Sequence, residues 1–133
     1  MNHLDHIGIA VKDLAISIPL YEKLLNRQCY KTEEVRSESV LTAFFKTGET
    51  KIELIQSTAP EGVIARYIEK KGEGIHHLAF HVSDIWSEMK RLADDGFILL
   101  NETPKVGADN KLVCFLHPKS TNSVLVELCQ EKK

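Results

Sequence analysis

The sequence has little of several features that identify common protein classes. Its 133 residues include three cysteines, Cys29, Cys114 and Cys129, and no CxxC motif, which argues against a disulfide framework and a zinc ribbon. Seventeen basic and 19 acidic residues give a formal charge of −2, so there is no positive field for nucleic acid. No window reaches the roughly 18 apolar residues of a membrane span, and no signal peptide is evident. We expect a cytoplasmic globular protein without nucleic-acid or membrane partners.

The chain contains an internal duplication. The segment LDHIGIAVKDL at 4–14 aligns with IHHLAFHVSDI at 75–85, which places His77 opposite His6 at an offset of 71. Later in each copy, KIELIQ aligns with LVELCQ at an offset of 74, which places Glu127 opposite Glu53. A hairpin three residues longer in the second copy accounts for the change of offset. The sequence therefore predicts two copies of one small structural unit.

Each copy has the pattern of a strand, a helix and then further strands. Apolar residues at i, i+4, i+7 spacing follow Asp13 and Asp84, which is typical of a helix with an aspartate N-cap, and Gly96 is the predicted stop of the second helix. Pro19 is expected to kink the first helix or delay its start. The weakest strand pattern is that of the middle strands, near 31–36 and 98–102.

We predict an α+β fold made of two tandem βαβββ modules within a single domain. The first module spans 1–56, the second spans 75–133, and a connector at 57–74 carries a short helix at 63–70. A half of this size is too small to be stable alone. The strands of the two modules are therefore expected to form one curved mixed sheet.

Four polar side chains at duplicated positions are predicted to share one face of that sheet. Because side chains alternate along a strand, His6 and His77 lie opposite their bulky neighbours, and so do Glu53 and Glu127. Gly8, Ala10 and Ala79 are small and are expected to leave room on this face for a ligand. Two imidazoles and two carboxylates suit one divalent metal ion, Co, Zn, Mn or Ni, with coordination positions open for a substrate. The sheet is thus predicted to be cupped around a metal site.

A structural role for these residues is the alternative. A histidine in a strand is more often a hydrogen-bonded structural residue, and a duplication copies such a residue as readily as a ligand. Among the other histidines, His76 is predicted to face the helix-covered side. His81 lies about 13 Å along the strand from His77, too far to share a metal. His3 and His117 are expected at the surface or in turns, and the cysteines are expected to be small buried hydrophobes.

The sequence resembles the vicinal oxygen chelate (glyoxalase/bleomycin resistance) superfamily, and within it the methylmalonyl-CoA epimerases. LDHIGIAVKDL, KKGEGIHHLAFHV, FLHPKS and VLVELC carry the resemblance. It implies a divalent metal held by His6, Glu53, His77 and Glu127, with Glu53 where many epimerases have Gln. It also implies an isomerase that exchanges the α-proton of an acyl-CoA through an enolate, with Glu127 as one acid or base. We expect a homodimer.

The chain departs from the epimerase pattern in its loops. Ser39 and Ser123 stand where glycine is typical, and GADN at 107–110 replaces GAHG. These departures leave the acyl specificity open. The strand at 40–45 carries no second acid, only Thr42. Three lysines are candidates for binding the coenzyme A phosphates: Lys105, Lys111 and Lys119.

Two other functions remain open. Lactoylglutathione lyases of the same superfamily also use a His, Glu, His, Glu metal set, although HPKSTNS at 117–123 replaces the acidic turn that such lyases favour. Other members of the superfamily are non-enzymatic proteins that bind small molecules and have lost the ligands. Retention of all four ligand types in this chain argues against that class.

Overall fold

The order of elements along the chain follows the duplication. The structure is a computed structural model that describes residues 1–132. The first copy comprises β1 (His3–Ala10), α1 (Leu14–Leu25), β2 (Lys31–Val35), β3 (Val40–Thr47) and β4 (Thr50–Ser57). The connector holds α2 (Val63–Lys71). The second copy comprises β5 (Gly74–His81), α3 (Ile85–Asp94), β6 (Lys105–Val106), β7 (Lys111–Leu116) and β8 (Val126–Glu131). The predicted α+β class and the two βαβββ modules are confirmed.

The described residues form two compact units. The first unit is His6–His76, and the second unit is Met1–Asp5 together with the residues from His77 onward. Strand order is β2-β3-β4-β1 in the first copy and β5-β8-β7-β6 in the second. In each copy the first and last strands pair in parallel, and the remaining pairs are antiparallel. The sheet is therefore mixed, as predicted, whereas the boundaries at 1–56, 57–74 and 75–133 stay a prediction.

Helix α1 begins where the sequence places its cap. Asp13 has extended backbone angles, and its side chain accepts a hydrogen bond of 2.9 Å from Ala15 N. The side chain of Gln56 on β4 accepts a second one, 2.7 Å from Leu14 N. Pro19 lies within the helix and does not delay its start, whereas a kink at this position stays a prediction. Two amide groups of the first turn already have partners before the proline is reached.

Helix α3 repeats these contacts in the second unit. Asp84 accepts a hydrogen bond from Ser87 N at 3.2 Å, and Gln130 accepts one from Ile85 N at 2.7 Å. The helix ends before Gly96, which has φ +94 and donates its N–H to the carbonyl of Ala93. A left-handed residue after a helix releases the chain from the axis without steric cost when it is glycine. The predicted stop at Gly96 is confirmed.

The helices cover one face of each copy's strands with apolar side chains. In the first unit the buried set is Val11, Leu14, Ala43, Phe45 and Leu54. In the second unit it is Val82, Ile85, Met89, Leu92, Cys114, Leu116, Val126 and Leu128. The i, i+4, i+7 positions of both helices belong to or pack against these sets, as their spacing predicts. The polar residues His6, Glu53, His77 and Glu127 lie outside both sets.

The predicted strand at 98–102 was wrong. Within this segment only Leu99 forms a bridge, an isolated one to Leu116. The strand on the side of β7 away from β8 is Lys105–Val106. The side chain of Asn101 accepts a hydrogen bond of 2.9 Å from Phe115 N. A side-chain acceptor thus takes the place of a backbone partner, which interrupts the ladder.

Three positions at which the epimerase pattern differs from this chain have left-handed backbone angles. Ser39 has φ +54, Asn110 has φ +53 and Ser123 has φ +69. Each stands where the epimerases typically have glycine, the residue that adopts this conformation most readily. At these three positions the backbone therefore has angles that suit glycine, although this chain carries serine or asparagine there.

Within residues 1–132, no helix is both long and apolar enough to cross a membrane.

Candidate metal and acid–base site

The first unit holds one imidazole–carboxylate pair. His6 Nδ1 lies 3.2 Å from Glu53 Oε2, and the residues are 5% and 4% exposed. Strand β1 runs parallel to β4, with Gly8 opposite Glu53 in register. Both side chains point away from the face that α1 covers, because their strand neighbours occupy that face. Pairing and burial hold the two polar groups in fixed positions.

The second unit holds the equivalent pair. His77 Nε2 lies 3.2 Å from Glu127 Oε1, and both residues are 6% exposed. Strand β5 runs parallel to β8, with Ala79 opposite Glu127. The ring of Phe115 meets the imidazole of His77 edge-on, with the ring centroids 5.9 Å apart. The duplication has thus preserved the distance between imidazole and carboxylate as well as the residue types.

Each pair has the chemistry of a half-site for a divalent metal. Neutral imidazole nitrogen and carboxylate oxygen are ligands for Zn, Mn, Co and Ni, and burial protects such a site from bulk water. In the second unit, ligating atoms of His77 and Glu127 lie within 4.8 Å of each other, a separation that one ion can span. The donor set fits a metal ion. That all four residues share one ion stays a prediction.

Part of the expected open space in the first unit is filled. Ala10 was predicted to leave room on the polar face, but it packs in a cluster with Val40, Ile55 and Ile64. Ile64 belongs to α2, so the connector helix covers this end of the face. Thr42 on β3 is buried at 2% exposure. Ile64 and Thr42 therefore limit the space beside Ala10, because both are buried.

The remaining histidines lie in other environments. His76 meets the ring of Tyr67 on α2 edge-on at 4.9 Å, as expected for a helix-contacting residue. His81 stacks on His3 with centroids 4.9 Å apart, and its Nδ1 is 3.0 Å from the side-chain amide of Asn2. His117 accepts a hydrogen bond of 3.0 Å from Lys119 N in a turn. These contacts are compatible with the prediction that the four histidines are not ligands of the metal site.

Sequence reasoning missed a buried ion pair in the second unit. Lys111 Nζ lies 2.7 Å from Asp5 Oδ1, and the two residues are 5% and 2% exposed. Asp109 adds a second carboxylate 4.0 Å from the same nitrogen. The one feature of the sequence that could have indicated this ion pair is Asp5, a charged residue inside an apolar strand. Because Lys111 is engaged in this pair, it is a poor candidate for the coenzyme A phosphates.

The two remaining lysine candidates, Lys105 and Lys119, differ in their surroundings. Lys105 Nζ lies over the ring of Phe115, 5.7 Å from its centroid, in a cation–π contact. Phe115 is the residue that also meets His77. Lys105 is therefore linked through one aromatic ring to the imidazole–carboxylate pair, whereas Lys119 is exposed in the turn after β7.

Two of the three cysteines are buried as small hydrophobes, as expected, whereas Cys29 is only partly buried. Cys114 and Cys129 are both fully buried, and all three cysteines are free thiols. Burial raises the pKa of Cys129, and the nearby carboxylates of Asp5 and Glu127 raise it further. A thiolate is disfavoured at this position.

Comparisons with known proteins agree with this geometry. The family model described as the Glyoxalase/Bleomycin resistance protein/Dioxygenase superfamily matches residues 5–115. The uncharacterised protein YqjC of Bacillus subtilis is 39% identical over 99% of this chain and 94% of its own length. An ethylmalonyl-CoA/methylmalonyl-CoA epimerase of Cereibacter sphaeroides is 36% identical over 98% of both chains.

A solved structure extends the similarity to three dimensions. A methylmalonyl-CoA epimerase of Streptomyces coelicolor in complex with 2-nitronate-propionyl-CoA superimposes with a TM-score of 0.95. It is 29% identical and covers 100% of this chain and 99% of its own. The resemblance predicted from the sequence is confirmed. The chain belongs to the glyoxalase/bleomycin resistance protein/dioxygenase superfamily, the superfamily of the methylmalonyl-CoA epimerases.

Proposed function

We propose that the chain is a metal-dependent epimerase that interconverts (2R)- and (2S)-methylmalonyl-CoA by exchange of the α-proton. The observation that carries the proposal is the imidazole–carboxylate pair, which recurs at 3.2 Å in each unit. It recurs in a chain similar over nearly its whole length to epimerases of acyl-CoA substrates. Both copies retain the pair in a buried position, which supports the proposal.

His6, Glu53, His77 and Glu127 are proposed to hold one divalent ion, Co, Zn, Mn or Ni. When bound, such an ion supplies Lewis-acid stabilisation of negative charge on carbonyl oxygens. Each histidine already has a carboxylate partner that fixes its ring. Fixed rings reduce the reorganisation that metal binding requires.

Glu127 is the proposed acid or base. The α-proton lies between a thioester and a carboxylate, and both carbonyl groups stabilise the carbanion formed when it leaves. Glu127 is 6% exposed and 3.2 Å from His77, so its carboxylate is desolvated and held in place. Inversion requires a proton donor on the opposite face. The strand at 40–45 carries no acid, only Thr42, so this strand supplies no second residue.

The proposed substrate is an acyl-CoA, and the proposed location is the cytoplasm. Three free cysteines, two of them fully buried, suit a reducing compartment. Lys105 is the lysine whose surroundings best fit a role in binding the anionic substrate, because it contacts the ring that meets His77.

Lactoylglutathione lyase activity is the second candidate. It is supported by Glu53, a carboxylate 3.2 Å from His6 where many epimerases have Gln. With Glu53, the chain has the His, Glu, His, Glu set that such lyases use. Both reactions move a proton next to a carbonyl group, so the ligand set alone does not decide between them.

The test is incubation of the metal-loaded protein with (2R)-methylmalonyl-CoA in deuterated water. We expect deuterium at the α-carbon and conversion to the mixture of epimers. Glu127→Gln should lose exchange, while His117→Ala, a turn residue, should keep it. Turnover of only the glutathione–methylglyoxal hemithioacetal would move the assignment to the lyase. No turnover of either compound would favour a non-enzymatic binding protein and overturn the proposal.

A further inference from the structure

Strand β2 places a further carboxylate on the polar face of the first unit. Glu33 of β2 lies directly opposite Thr42 of β3 in the strand register. Ala43, the neighbour of Thr42, packs in the apolar cluster that α1 covers, so Thr42 points to the other face of the sheet. Side chains of directly opposed residues share one face. The carboxylate of Glu33 is therefore on the same face as the imidazole–carboxylate pair of that unit.

The contacts of Lys31 agree with this direction. Lys31 Nζ lies 3.5 Å from Glu33 Oε1 and 4.6 Å from the centroid of the Phe44 ring. Phe44 is fully buried and lies directly opposite Glu53. The ion pair thus holds the Glu33 carboxylate beside the ammonium group that lies over the ring bordering Glu53. The side chain of Glu33 is 33% exposed, so a ligand can still reach it.

The second copy has a lysine at the equivalent place. Lys105 of β6 lies opposite Val113, and Val113 corresponds to Thr42 at the offset of 71. The ammonium group of Lys105 lies over the ring of Phe115, which is directly opposite Glu127. A charged side chain at this position thus extends toward the site carboxylate of its own unit. The position carries a cation in the second copy and an acid in the first.

We propose that Glu33 is the second acid–base group of the epimerase. The inference rests on the proposed function, because inversion at the α-carbon is what requires two proton-transfer groups. In β2, β3 and β4, the acids on the polar face are Glu33 and Glu53. Glu53 is a proposed metal ligand and is paired with His6. Glu33 is therefore the carboxylate of these strands that is left for proton transfer.

Proton transfer by two glutamates accounts for inversion without another reactant. One carboxylate takes the proton from the α-carbon, and the electron pair of the broken C–H bond becomes part of the enolate. The second glutamate, in its protonated form, donates its proton to the opposite face of the same carbon, where a new C–H bond forms. Exchange with solvent then restores both groups. Glu127 acts as the base for one epimer and Glu33 acts as the base for the other.

The test separates removal of the α-proton from its return to the other face. In deuterated water, the natural protein should exchange the α-proton of (2R)- and of (2S)-methylmalonyl-CoA and invert both. In Glu33→Gln, the epimer that Glu127 deprotonates should still take up deuterium, and the other epimer should not. Inversion in both directions should fall at least about 100-fold. Mass spectrometry measures the deuterium, and chiral analysis of the acid measures the inversion.

Two further variants show whether the carboxylate at this position is the cause. Glu34→Gln changes the neighbouring acid, which is exposed and lies opposite Leu41 on the other face of β2. It should invert both epimers at the natural rate. Glu33→Asp keeps a carboxylate on a shorter side chain and should invert faster than Glu33→Gln. Metal content and the circular dichroism spectrum of Glu33→Gln should be unchanged, because Glu33 is not a proposed ligand.

The possible failures are distinguishable. Inversion at the natural rate in Glu33→Gln would overturn the inference and leave the proposed function intact. Loss of exchange from both epimers in Glu33→Gln would also overturn it, because a structural or binding role would then explain the result. Absence of exchange in the natural protein would overturn the proposed function, and this inference with it.

Discussion

The side chain of Gln56 accepts a hydrogen bond of 2.7 Å from the backbone N–H of Leu14, the first residue of α1. In the second copy, Gln130 accepts a bond of the same length from Ile85, the first residue of α3. Each glutamine lies three residues after its carboxylate, Glu53 or Glu127. In each copy the last strand thus carries both the carboxylate of the polar pair and the glutamine that anchors the start of the helix.

Gln56→Ala should destabilise the protein by about 1 kcal/mol, because the partly buried amide of Leu14 loses its acceptor. Gln130→Ala should have an effect of similar size through Ile85. Thermal or urea unfolding measures both. The control is Gln28→Ala at an exposed position, which should change stability little. Equal stability of all three variants would mean that the glutamine contacts contribute nothing.

The duplicated parts of the fold could be predicted from the sequence because the two copies constrain each other. Asp13 and Asp84 cap their helices, and the strands at the matching segments form as expected. The segment at 98–102 has no such support, and a side-chain contact from Asn101 decided its conformation. Such a contact depends on the folded position of Phe115, which the local pattern does not contain.

The candidate site could be predicted from the sequence where the duplication covers it. The internal repeat and the alternation of side chains along the strands predicted four site residues: His6, Glu53, His77 and Glu127. In the structure, each imidazole–carboxylate pair forms within its unit. The Asp5–Lys111 ion pair could not be predicted from the sequence. Its two residues are 106 positions apart, and the pair is not repeated in the duplication. The filling of space beside Ala10 by Ile64 was missed because the connector helix has no counterpart in the duplication.

Ser39→Gly should stabilise the protein by about 0.5–1 kcal/mol. Ser39 has φ +54, where a side chain costs energy that glycine avoids, although glycine gains entropy in the unfolded chain. Ser37→Gly, two residues away and outside the left-handed region, is the matched control and should be neutral or destabilising. Urea titration of both variants provides the comparison. A loss of stability in Ser39→Gly would contradict the conformational explanation.

Lys111→Met should destabilise the protein by about 3–5 kcal/mol, because it leaves the carboxylate of Asp5 buried beside an apolar group. Adding Asp5→Leu removes that stranded charge. The double variant should therefore be more stable than Lys111→Met alone. Urea unfolding of the single and double variants tests this. If the second substitution made stability worse, the pair would not be the source of the loss.

The pKa of Asp84 should lie below its ordinary value of 3.8, since the side chain of Ser87 and then its backbone N–H donate hydrogen bonds to the carboxylate. A carboxyl group with a lowered pKa in the folded state stabilises above its unfolded pKa, and the effect disappears as pH falls through the folded pKa. The advantage of the natural protein over Asp84→Asn at neutral pH should therefore vanish at strongly acidic pH.

Carbon NMR titration of the Asp84 carboxyl group checks the direction of this shift. Ser87→Ala removes the largest cause, so the pKa of Asp84 should rise toward 3.8 in that variant. A carboxyl group that titrates at or above 3.8 in the natural protein would contradict the assignment.

The most direct test of the account is a metal titration of the natural protein and of two single variants, His6→Ala and His77→Ala, with His117→Ala as control. If one ion is shared by both imidazole–carboxylate pairs, the natural protein and the control should each bind about one Co²⁺ or Zn²⁺ ion per chain. Each of the two single variants should then lose that ion. Retention of the ion in either variant would show that the pairs do not act as one site, and an absence of binding to the natural protein would contradict metal ligation altogether.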